Sequence, residues 1–126
     1  VLLVAVLVGL WTRASSFAAD DHRSFNRHGE AFDMGETFSG VPYEVGLQAV
    51  EELRTLVPAG ATMAQFALRW ILMDPAVTVV IPGAKTPEQA RANAAADALP
   101  ALSAEALQAA RTVYDRLIAP HVHHRW

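Results

Sequence analysis

The chain has 126 residues, 10 Lys+Arg against 13 Asp+Glu for a formal net charge of −3, and no cysteine. That length is about half of the ~250 residues needed by a barrel of eight strand-helix units, so a large barrel enters only as a portion. The charge balance supplies no basic field for a phosphate backbone, which argues against nucleic acid. The missing cysteines exclude disulfides, thiolate zinc sites, iron–sulfur clusters and cysteine nucleophiles, and they fit a reducing cytoplasmic setting. Hydrophobic residues at 52% and a mean hydropathy of +0.20 provide for a packed core.

In chain order, Val1–Leu10 (VLLVAVLVGL) is an apolar run too short to span a membrane. It reads as a buried parallel strand within residues 1–11, with the apolar part of a signal peptide as the rival. Residues 12–41 have no sustained period and read as a long loop, punctuated by Phe17, Phe25, Phe32 and Phe38. Pro42 opens a predicted helix to about Val57, with Ala49, Val50, Leu53, Leu56 and Val57 on one stripe. Thr62 and Gln65 have capping-box spacing and start a second helix whose buried stripe is Met63, Phe66, Ala67, Trp70 and Ile71. Asp74-Pro75 ends it. Val77–Ile81 (VTVVI) is the clearest predicted strand, β-branched throughout and bounded by Pro75 and Pro82-Gly83.

Thr86 as side-chain cap, Pro87 at the first helical position and Glu88 behind it predict a helix from Pro87 to about Ala96. A last helix begins at Ser103, with Leu102 and Leu107 spaced as a hydrophobic staple, and runs to Pro120. The tail HVHHRW places His121, His123 and His124 together, a spacing too weak to name a metal site, and none is assigned. Tyr43 and Tyr114 read as packing residues. The turn Ile81–Thr86 delivers an extended segment into a helix amino terminus, where free N–H groups and the helix dipole favour an anion such as a phosphate. Lys85, the only lysine in the sequence, adds a charge there, and Asn93 offers an amide farther along the helix.

Three stretches, IPGAKTPEQARAN (Ile81–Asn93), ALRWIL (Ala67–Leu72) and VLLVAVLVGLWTR (Val1–Arg13), resemble the aldo-keto reductase family, especially the branch with the potassium-channel β subunits and bacterial reductases. The resemblance implies an α/β fold: the carboxyl-terminal portion of a (β/α)8 TIM barrel, an incomplete barrel of about two strands and four helices. Residues 1–126 would form one partial domain, with 1–11 as strand and cofactor loop, 12–41 as the long loop and 42–126 as helices and the last barrel strand. It further implies an NADP(H)-dependent oxidoreductase that reduces a small carbonyl substrate, with no membrane or nucleic-acid partner. The family's site for the 2′-phosphate and adenine maps onto Gly83, Ala84, Lys85, Gln89 and Asn93.

There are departures as well. Gly83-Ala84 stands where several members have Lys-Ser, Gln89 where they have Arg, Ala92 where they have Glu, and Leu10 where the channel-subunit branch has a phosphate-reaching Lys. The family's Asp-Tyr-Lys-His tetrad belongs to earlier strands, so no catalytic residue is assigned here, and the missing amino-terminal barrel half is an expected partner. Two alternatives stay open: a noncatalytic nucleotide-binding or regulatory subunit, and a small secreted helical protein with a signal peptide.

Overall fold

The computed structural model describes residues 13–125, so the strand expected within residues 1–11 lies outside the described residues. Helix α1 is His22–Phe25, and two 3-10 turns follow at Met34–Glu36 and Phe38–Gly40. Four further helices carry the fold: α2 (Tyr43–Arg54), α3 (Met63–Leu72), α4 (Pro87–Ala94, continued by a 3-10 turn Ala95–Ala98) and α5 (Ala104–Val113). A π-turn at Tyr114–Ile118 leads to α6 (Ala119–Val122) and a 3-10 turn His123–Arg125. No helix among the described residues is long and apolar enough to cross a membrane.

The described residues contain no β-strand, which overturns the α/β expectation for them. Val77–Ile81 is not helical, but nothing described lies beside it as a second strand, and Val79 and Ile81 are 67% and 90% exposed. β-branched composition favours an extended backbone; a strand also needs a neighbour to take its N–H and C=O groups, and none lies beside it among the described residues. Among the described residues the segment is a strand in sequence only.

The helix predictions fare better, with shifted edges. α2 stops at Arg54 rather than Val57, and Leu56 and Val57 pack against the core from the turn beyond it. Thr62 and Gln65 form the full capping box: Gln65 N–H donates to Thr62 Oγ1 at 3.2 Å and Thr62 N–H to Gln65 Oε1 at 2.9 Å. The buried face of α3 is Met63, Phe66, Ala67 and Leu68, whereas Trp70 is 37% exposed, so the face is rotated away from the predicted stripe. The last helix does not stop at Pro120. The backbone widens into the π-turn just before Pro120, which sits in the first turn of α6.

One cluster, including Val50, Leu53, Phe66, Leu102, Val113 and Ile118, unites α2, α3, α5 and the π-turn. A smaller one joins Phe38, Tyr43 and Leu47, with Phe17 against it. Residues 13–41 are thus far from an irregular linker. Asn26, 0% exposed, accepts from Ala31 N–H (2.8 Å) and Phe32 N–H (2.9 Å) through Oδ1 and donates to Thr37 Oγ1 (3.0 Å). A side chain that takes up backbone groups in this way holds a loop that has no ladder.

Candidate functional site

The turn before α4 is held by its own side chains. Thr86 Oγ1 accepts from Gln89 N–H at 3.2 Å, as the cap expected from sequence. Gln89 has the same spacing from its cap as Gln65, yet its Oε1 reaches one residue further back and accepts from Lys85 N–H at 2.7 Å. Asn93 Nδ2 donates to the Gly83 carbonyl at 3.2 Å. Gln89 and Asn93, both read from sequence as cofactor contacts, are therefore also the residues that shape the turn. This takes the Lys85 N–H out of the set of free backbone donors, and leaves the Lys85 side chain, the positive end of α4 and the Asn93 Oδ1 and second Nδ2 hydrogen.

α4 lies on α3 through two polar ties: Gln65 Nε2 donates to the Ala92 carbonyl at 3.0 Å, and Arg69 faces Asp97 at 3.8 Å. Between α3, the 78–84 segment and α4 runs an open groove of about 450 Å3, lined by Leu68, Val79, Pro82, Ala84 and Asn93 among others. Of the five sequence-predicted residues, Ala84 and Asn93 line this groove, while Gly83, Lys85 and Gln89 are not among its lining residues. A Cβ built on Gly83 meets nothing within 4 Å, so packing within the described chain does not require glycine there. The acid in the first turn, Glu88, is drawn along the helix to Arg91 at 2.7 Å. What this arrangement offers chemically is a helix amino end with a lysine just before its cap, beside an open groove of mostly apolar lining that also includes Thr78, Asn93 and Asp97.

Other candidates from the sequence resolve into packing. Tyr43 is buried 4.9 Å from the Phe38 ring, with the Arg27 guanidinium 4.8 Å above its own ring. Tyr114 Oη and His123 Nδ1 are 3.0 Å apart. Among the described residues no three His, Cys, Asp or Glu side chains converge as metal ligands. The tail does not stand apart. Arg125 Nη2 donates to Asp33 Oδ1 and Oδ2 at 2.8 and 2.9 Å. Sequence reading missed that pair and the Asn26 hub, because neither lies at a local spacing that signals it.

No curated protein and no solved structure gives a significant match to the chain. The sequence model of the aldo/keto reductase family does match, over residues 6–115, beginning inside the apolar run and taking in the whole turn before α4. The chain belongs to the aldo/keto reductase family, and hence among oxidoreductases.

Proposed function

We propose that this chain serves an NADP(H)-dependent reduction of carbonyls to alcohols, and that the turn Gly83–Asn93 takes the adenosine end of the cofactor. The observation that carries this is the turn itself: Lys85 stands directly before the Thr86 cap at the amino end of α4, its N–H held by Gln89, and the half-committed Asn93 amide lines the groove beside it. The donor set fits a 2′-phosphate next to an adenine: a cation and a helix dipole for the anion, an acceptor and a donor on one amide for the base. When bound, the cofactor supplies hydride to the carbonyl carbon. Lys85 offsets the phosphate charge, Gln89 keeps the turn in the shape that presents Lys85, and Asn93 orients the base.

No residue of the chain is assigned to proton transfer. Tyr43 is enclosed by aromatic and cationic neighbours and Tyr114 is engaged with His123. The chain's contribution is grip on the nucleotide, and on its own it is expected to show no carbonyl reduction above a blank. Titration with NADPH and NADH tests the assignment. Lys85→Ala should weaken NADPH by roughly 1–2 kcal/mol and NADH less, the range for a charged hydrogen bond. Asn93→Ala should weaken both alike. An equal effect of Lys85→Ala on the two cofactors, or none, would rule out this turn as the 2′-phosphate site.

A further inference from the structure

We propose that Arg125 is a latch that holds the 33–41 segment in a strained shape, so that displacement of the Ala119–Arg125 tail releases that segment. Three independent features meet at this place. The first is the contact itself: Asp33 Oδ1 accepts from Gly35 N–H at 2.7 Å and from Arg125 Nη2 at 2.8 Å, so the tail grips the same carboxylate that caps the turn Met34–Glu36.

The second is a slot shaped for the guanidinium. A Cβ on Gly35 would lie 2.8 Å from the capping Asp33 Oδ1 and 3.1 Å from Arg125 Nη1, the two partners of the latch, and one on Gly40 would lie 3.1 Å from the same Nη1 and 3.8 Å from Val122 Cγ1. Glycine at both positions leaves the room that the Asp33–Arg125 pair occupies, and Gly40 also needs its freedom for φ +81. The third is strain. Phe38 and Ser39 both have φ 48, consecutive non-glycine residues in the left-handed region, an arrangement that persists only where surrounding contacts impose it. Phe38 is held on one side by the aromatic cluster with Tyr43, while Gly40 meets the tail through Val122 and Arg125. An exposed ion pair alone would be weak. Here it closes a slot over a backbone that relaxes when the slot opens.

Hydrogen exchange on the 126-residue chain tests the latch. The reporters are the amides of Gly35, Thr37, Gly40 and Val41, which donate to Asp33 Oδ1 and to the Met34, Thr37 and Phe38 carbonyls. Arg125→Ala should speed their exchange about fivefold or more while α3 amides keep their rate, since only the local opening changes. Asp33→Asn keeps an acceptor for the cap and removes the charge, so it separates latch from cap. It should reproduce the acceleration, and the double variant should add little to either single one. The proposal is overturned if Asp33→Asn leaves these amides unchanged, if the two substitutions add fully, or if α3 amides accelerate equally in Arg125→Ala.

Discussion

Two segments outside the four main helices, 13–41 and 76–85, reverse the roles that their compositions suggest. The first is polar and aperiodic, yet it is tied internally by Asn26, Asp21 and Asp33 and by the Phe17, Phe38 and Tyr43 rings. The second contains the β-branched run Val77–Ile81, yet Val79 and Ile81 face solvent. The difference teaches that a loop whose side chains satisfy its own backbone is self-sufficient, whereas a strand borrows its partners from elsewhere in the fold.

The harshest way to break this contrast is Asn26→Ala, which strands the Ala31 and Phe32 N–H groups and takes one partner from the Thr37 hydroxyl, leaving it His22 Nδ1 at 3.2 Å. A loss of about 2–3 kcal/mol in denaturant unfolding is expected, the cost of unpaired polar groups in a partly buried setting. A loss under about 0.5 kcal/mol would mean that water replaces the hub.

Ile81→Ser is the matching test on the other segment. With Ile81 90% exposed, the substitution should shift stability by less than about 0.5 kcal/mol, as for an ordinary surface position. A loss of 2 kcal/mol or more, the size for a buried aliphatic side chain, would mean that this side chain is covered in solution.

The smallest effect sharpens the first segment at its start. Asp21 caps α1, and its carboxyl is lowered from the ordinary 3.8 to about 2 by its hydrogen bonds from the Arg23 side chain and backbone, with Arg23 and His22 charges adding to the same direction. A depressed folded value means that this contribution is complete above pH 3.8 and fades as pH falls toward 2. Carboxyl titration followed by NMR should place Asp21 well below the ordinary 3.8, and Arg23→Ala should return it toward that value. A midpoint near 3.8 in the unsubstituted chain would show that the pair does not form.

How much was legible follows from the range of each signal. Caps and helix starts are written within four residues, so Thr62, Thr86 and Ser103 marked their helices correctly and each cap bond forms. Family membership was legible in the same local way, through Ile81–Asn93, and the match over residues 6–115 bears it out. The candidate site was half legible: residue types pointed to the turn, but the sequence could not say that Gln89 and Asn93 already bond to Lys85 and Gly83.

By itself, then, the sequence determined where the four main helices begin, which residues carry apolar stripes, and the family. Tertiary structure decided which stripe faces inward, as the exposure of Trp70 and burial of Leu68 show. It also decided whether Val77–Ile81 becomes a strand, and which distant residues pair, Arg125 with Asp33 across 92 positions and Arg116 with Glu52 across 64. Local preferences act between neighbours along the chain, whereas burial, ladder pairing and ion pairs need a partner that only the folded arrangement brings within reach.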